Sequence, residues 1–385
     1  MQNQKRLLWV DGLRGIACLL VFLHHFMLSF YPATYYGPEK ESLLFGFDTH
    51  LSLSPLGFLI NGNFWVNVFI LIAAFIPAYR IMTTEDKDVK SVGGTIILRR
   101  YPRLMLPIAV IALIRFVTIV ILNHFSLNFY GFQSEYGFVK YMFHAMVICF
   151  FRSDTTVLGP LWSIYYIFLA APLAVILALP ARKSNRFMPV IYAALVVPFF
   201  YVSLNFLPVV LGVFLADIRA NRLDKCREFV MKRPRRAIVP FLLLIIAAGC
   251  YLGGFPSYSI DSPYYSILPS VSGLPFYVMY HAFGSFLLVL GLMLWHEFNI
   301  KSVFLCKKPA QLLGRFSMGV FLIHSLVIDF LGYYLVDRMT AAIGSPAVAG
   351  LLVLVIVTAL ILLLSLAFNV AVEKPSEKLC QKIKV

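Results

Sequence analysis

Arg14 and His25 lie eleven residues apart in one apolar stretch, WVDGLRGIACLLVFLHHFMLSF, from Trp9 to Phe30. At 3.6 residues per turn, that spacing is three turns plus about 20° of rotation. The two side chains therefore share a helix face, with His25 ~16 Å further along the axis. His24 points roughly 80° away from Arg14. A cation near one membrane surface with an imidazole deeper in suits a site that holds an anionic cofactor and moves a proton. Ionisable groups inside a spanning segment are costly and rare, so each is a functional candidate. Plainer readings compete. Arg14 is close enough to the start of the run to snorkel to the surface. Asp11, three residues earlier, is placed to pair with it.

A second cluster is Arg99, Arg100 and Arg103 in LRRYPRLMLP. Spacings of three and four residues put Arg100 and Arg99 each on a face shared with Arg103. Planar guanidinium forks suit phosphate. Basic anchoring at the cytoplasmic surface, or attraction to anionic lipid, accounts for any one of them alone. Arg115 stands in the middle of a span, where facing lipid would cost ~2.5 kcal/mol or more. It is expected to pair inside the bundle. Asn67 is placed for an interhelical hydrogen bond or for lining the interior. His324 and Asp329 form an H-x4-D string, but on a continuous helix they sit about 140° apart, which argues against their acting together. His281, Trp162 and Ser163 are candidates for the wall of an acceptor site on the far membrane face. Interfacial anchoring competes for Trp162.

These residues need long apolar elements to position them. The chain has 385 residues, 60% hydrophobic, 15% aromatic and 13% charged. Several runs reach the ~20 apolar residues of a spanning helix, so the fold class is all-α, a polytopic membrane helix bundle in one domain over residues 1–385. The net charge of +15 reads as basic residues gathered on cytoplasmic loops, not as a nucleic-acid surface. Six scattered cysteines without CxxC spacing suggest neither a disulfide framework nor a zinc site, and no metal is expected. Lys5 and Arg6 before an apolar run resemble a signal peptide, but Asp11, Arg14 and the length of the run favour a retained first helix.

Ten spans are predicted: Val10–Phe30, Phe64–Met82 with a kink at Pro77, Leu104–Leu122, Pro160–Ala181, Phe187–Ser203, Phe206–Ile218, Ala237–Gly253, Leu274–Trp295, Leu312–Tyr334 and Ala347–Val372. Phe138–Phe151 is short for a span and reads as re-entrant or interfacial. Both termini are then cytoplasmic. Of the 33 Lys and Arg, Lys40, Lys140, Arg152 and Arg338 fall outside and Arg115 within the membrane, leaving the rest on the cytoplasmic side. Counting Phe138–Phe151 as a span would move Arg182, Lys183 and Arg186 outside.

The arginine, ten residues and histidine of DGLRGIACLLVFLHHF resemble the acyltransferase-3 family of membrane O-acyltransferases. FWVNVFILIAAF, RRYPRLMLP, GPLWSIYYIFLAAP and LGRFSMGVFLIH with the later EKP are similar to further motifs of that family, in its order. The resemblance spans nearly the whole chain. It implies transfer of an acyl group, often acetyl from cytoplasmic acyl-CoA, to a hydroxyl of a carbohydrate or other small acceptor. The family's functional Arg and His map to Arg14 and His25, and its arginine pair to Arg100 and Arg103. Two departures stand out: Ile167 occupies a position where the family often has Glu, and Ala73 and Ala74 stand where it often has Ser-Gly.

The expected roles are His25 as general base, Arg14 as its helper in cofactor orientation, and Arg99, Arg100 and Arg103 at the CoA phosphates. Trp162, Ser163, His324 and Arg115 are the candidates for substrate binding. A desolvated neutral imidazole is a suitable base near neutral pH. The expected partners are the lipid bilayer and the acceptor. Two rivals stand beside this reading: a transporter of a small organic molecule, and a catalytically inactive relative.

Overall fold

The computed structural model describes residues 7–125, 137–182, 187–232, 234–258, 262–269, 275–300 and 304–383. Every regular element among them is helical. The main ones are α1 (Leu8–Phe30), α2 (Gly62–Met82), α3 (Val89–His124), α4 (Phe138–Phe151), α5 (Trp162–Ala181), α6 (Met188–Val202), α7 (Leu207–Asp217), α8 (Arg235–Gly253), α9 (Phe276–Glu297), α10 (Lys308–Ile343), α11 (Pro346–Phe368) and α12 (Lys374–Gln381). Nine stretches among the described residues are long and apolar enough to cross a membrane. The protein is a multi-pass integral membrane protein.

α6 has only 15 residues, fewer than the usual span. It nevertheless traverses the bundle. Ser203, just past its end, lies 3.2 Å from the Tyr166 hydroxyl near the start of α5. Asn221, beyond α7, donates to the Ala181 carbonyl at the other end of α5. The chain therefore rises through α6 and returns through α7. The packing of α1 on α10 gives the same parity. These helices run parallel, with Arg14 against Gly314 and Ser317 and His25 against His324. Parallel neighbours in an alternating chain need an odd number of crossings between them, which α2, α3 and α5 to α9 supply. Ten crossings result among the described residues, and α4 is not one of them. The Tyr141 hydroxyl of α4 accepts from Arg115 and donates to the Val157 carbonyl. The chain therefore dips inward after Gly137 and is back at the same depth by Val157.

Several boundaries differ from the predicted ones. α3 starts at Val89, not Leu104, because the basic segment continues the helix below the membrane. The arginine cluster thus sits well inside this helix, as its shared-face spacing requires. α10 runs on to Ile343 through a wide π turn at Ile328–Gly332. The last span ends at Phe368, and a second π turn over Asn369–Glu373 leads into α12. Leu274 lies outside the described residues, and α9 begins at Phe276.

Small residues decide which helices touch. In membranes, glycine lets two backbones approach closely. A Cβ on Gly15 would run into the Gly314 nitrogen, and one on Gly314 into the Asp11 carbonyl. This contact clamps α1 to α10. Replacing Gly314 with Val should therefore separate the two helices and destabilise the protein by about 2 kcal/mol or more, read as a lower thermal midpoint in detergent. Ala74 plays a related part on α2, since a Cβ on Gly212 of α7 would lie 3.0 Å from the Ala74 Cβ. The small residue is used for packing there.

Candidate active site

α1 carries the site because its run contains no proline and stops where Pro32 follows Tyr31. Its glycines hold it against α10, so the face bearing Arg14 and His25 cannot turn to lipid. At the lower end, Arg14 pairs with Asp11 at 3.6 Å and donates to the Gly314 carbonyl and the Ser317 hydroxyl at 3.3 and 3.2 Å. One turn up, the Cys18 thiol donates to the Ser317 carbonyl.

At the upper end, a cavity of about 320 Å³ opens between α1, α2, α5, the turn before α7 and the outer loops. His24 and His25 form part of its wall. Tyr35, Trp162 and Tyr277 supply aromatic surface, and Asn63, Asn205 and Ser257 supply neutral hydrogen-bonding groups. Among the described residues, no Asp, Glu, Lys or Arg lines it. His24 is committed: its Nδ1 donates to the Ile60 carbonyl at 2.8 Å, and its ring fills the space that a Cβ on Gly62 would need. His25 sits between two other imidazoles, with ring centroids 5.1 Å from His24 and 5.1 Å from His324. Behind Asn63, the fully buried His281 donates from Nε2 to the Phe255 carbonyl at 2.8 Å. Its Nδ1, 3.1 Å away, is left to accept from the Asn63 amide, which orients that amide at the cavity wall.

The arginine cluster lies below this cavity. Arg100 donates to the Ile167 carbonyl at 2.6 Å. Ile167 is five residues from Trp162, or about 7.5 Å along α5. Among the described residues Arg100 has no acidic partner, and its Nε is buried without a hydrogen bond. It lies within electrostatic reach of both Arg103 and Arg14. Arg99 and Arg103 are held differently. Arg103 pairs with Glu377 of α12 at 2.6 Å, and Arg99 donates to the carbonyls of Gln381 and Ile383. The C-terminal helix thus rests on the outer edge of the cluster and leaves Arg100 facing inward.

The remaining candidates separate. Trp162 is at the cavity. Ser163 is fully buried and donates to the Pro160 carbonyl. His324 is fully buried behind His25. Arg115 is in a different region, paired with Asp329 at 3.6 Å and bonded to Tyr141. The π turn in α10 removes the continuous-helix premise for His324 and Asp329, yet Asp329 still serves Arg115. Tyr35, Asn63, Asn205, Ser257 and Tyr277 were not singled out from the sequence. All five belong to loops, turns or helix ends, where nothing in the local pattern marks a cavity wall.

No solved structure matches the chain. A stretch of 127 residues is 28% identical to the O-acetyltransferase PaAT-1 of Phomopsis amygdali. It covers 32% of this chain and 23% of that relative, so the chain spans under a quarter of the relative's length in the match. The acyltransferase-3 family model, described as an acyltransferase domain, matches residues 7–370. With a basic mouth, a parallel α1–α10 pair and an imidazole at the wall of an uncharged cavity, the chain belongs to the acyltransferase-3 family of membrane proteins.

Proposed function

We propose that this protein transfers an acyl group from acyl-CoA to a hydroxyl of a small, uncharged acceptor, with His25 as general base. The observation that carries the proposal is the stacking of two unlike sites along α1 and α5: unpaired positive charge at Arg100 below, and a neutral aromatic cavity holding His25 above. A polyanionic nucleotide suits the first and a polyhydroxylated small molecule, a carbohydrate among others, suits the second. The name of the PaAT-1 relative favours acetyl as the group transferred.

In this mechanism the CoA phosphates bind at Arg100, with Arg14 and Arg103 adding to the positive field. The thioester reaches up towards His25. A cavity-facing nitrogen of His25 takes the hydroxyl proton as the oxygen attacks the thioester carbonyl. The new C–O bond forms, the C–S bond breaks, and the proton on His25 passes to the departing thiolate. Trp162, Tyr35 and Tyr277 offer flat faces for the acceptor, and Asn63, Asn205 and Ser257 offer it hydrogen bonds. Ile167 gives Arg100 a backbone carbonyl and no carboxylate, so the guanidinium charge stays available to phosphate.

The test uses the full chain in nanodiscs, incubated with radiolabelled acetyl-CoA and a small-metabolite extract of the source cells. Label should pass into an uncharged product with matching release of free CoA. Movement of a small molecule across vesicles containing the protein, without thiol release, would replace this proposal with transport.

A further inference from the structure

His324 is the feature that the proposed function leaves unexplained. It is a fully buried imidazole on α10, and it is not part of the cavity wall. Its Nδ1 lies 3.0 Å from the carbonyl of Val320, one turn earlier. A carbonyl only accepts, so this bond places the proton on Nδ1 and leaves a lone pair on Nε2. That Nε2 is buried and has no hydrogen-bond partner. A buried acceptor left unmade costs about 1–3 kcal/mol, and an apolar side chain would fill the same space without that cost. Phe22 and Phe321 also lie against the ring.

His25 is an ionisable neighbour in ring contact with it. The two ring centroids are 5.1 Å apart and the planes are tilted by 31°. At that separation, nitrogens turned towards each other fall within the ~2.7–3.2 Å of a hydrogen bond. Catalytic hydrogen bonds often reach full alignment only when substrate is bound. The backbone supports the pairing, because the glycine contact between α1 and α10 holds the two histidines at one depth.

We propose that His324 is a positioning residue for His25: its Nε2 accepts a hydrogen bond from the inward N–H of His25. That bond selects the His25 tautomer whose lone pair faces the cavity. When His25 takes the acceptor's proton, it becomes an imidazolium with an N–H on each nitrogen. The inward N–H stays on His324, and the outward proton later goes to the thiolate. No proton is gained or lost by His324 over the cycle. His24 cannot serve in this way through its Nδ1, which is already committed to Ile60. The inference rests on the proposed role of His25 as base.

Two variants separate this role from packing. His324→Phe keeps an aromatic ring and removes the acceptor, whereas His324→Gln keeps a carbonyl acceptor and loses the ring. The first readout needs neither donor nor acceptor. Diethylpyrocarbonate at neutral pH labels a histidine through its exposed lone pair, and labelling of His25 is counted by peptide mass spectrometry in nanodiscs. Labelling should slow by about twofold in His324→Phe and recover in His324→Gln, as expected when one of two tautomers is no longer selected. The second readout is acetyl-CoA turnover. In His324→Phe, kcat should fall roughly 30-fold, less than the ~10²–10⁴-fold contribution of the base itself because His25 remains, with KM for acetyl-CoA unchanged, and His324→Gln should keep more activity than His324→Phe. A packing residue gives the opposite order. Equal His25 labelling in wild type and His324→Phe would overturn the proposal. Absence of wild-type turnover would instead count against the proposed function, with the labelling still deciding the role of His324.

Discussion

His25→Ala should lower acetyl-CoA turnover by about 10²–10⁴-fold, the usual contribution of a positioned base. Acyl-CoA affinity should stay within twofold of wild type, because Arg14 is about three turns lower on α1 and Arg100 is bonded to Ile167, below the cavity. The fold should survive the change. His25 forms part of a cavity wall and is only partly buried, so truncation enlarges a space that already exists and leaves no sealed void. The control is His24→Ala. His24 is bonded to the Ile60 carbonyl and packed on Gly62, so its loss should affect the outer loop and lower thermal stability, with turnover falling about tenfold or less. Equal losses in the two variants would remove the distinction drawn between neighbouring imidazoles. A His25→Ala protein that keeps a third of its turnover would rule His25 out as the base.

Arg100→Met should weaken acyl-CoA binding by roughly 30-fold, equivalent to about 2 kcal/mol for charge-assisted hydrogen bonds. The loss should shrink as salt is raised, because screening already weakens the wild-type interaction. The ligand-free variant should be no less stable than wild type and is expected to melt slightly higher. Arg100 is partly buried and holds a buried Nε without a partner beside other cations, and replacing a poorly compensated, partly desolvated charge with an apolar chain is often stabilising. Loss of affinity with a gain in stability is the signature of a residue kept for its ligand. Arg103→Met should behave differently. Its pair with Glu377 is about half exposed on both sides, so it adds little stability, and its effect on affinity should be several-fold smaller. Isothermal titration with CoA and a thermal melt in the same detergent measure both quantities. Unchanged CoA affinity in Arg100→Met would end the phosphate assignment.

The membrane class was legible in the sequence because the bilayer imposes one requirement on every span: an apolar run with all backbone groups bonded internally. The eleven-residue step from Arg14 to His25 was legible for a similarly local reason, since helix geometry alone puts both on one face. Length and composition alone do not separate α4 from α6; the loop charges do, because counting Phe138–Phe151 as a span would put Arg182, Lys183 and Arg186 outside. The two short apolar segments look alike in length and composition. The structure has one crossing and the other dipping, each tied to partners distant in sequence, Tyr166 with Ser203 and Arg115 with Tyr141. The arginine cluster shows the same limit. Three guanidinium groups within five positions are equivalent as text, yet α12 occupies Arg99 and Arg103 and leaves Arg100 facing inward.

By itself, the sequence determined the all-helical membrane fold, the polar face of the first span and the resemblance that pointed to acyl transfer. Tertiary structure decided which groups meet. His25 and His324 are brought together by glycines that let α1 and α10 touch, and the cavity wall is assembled from loops and helix ends on separate segments. The physical reason is range: helix periodicity and transfer free energy act over a few turns of one chain, whereas a cavity, a tautomer and an unpaired charge depend on neighbours that only packing supplies.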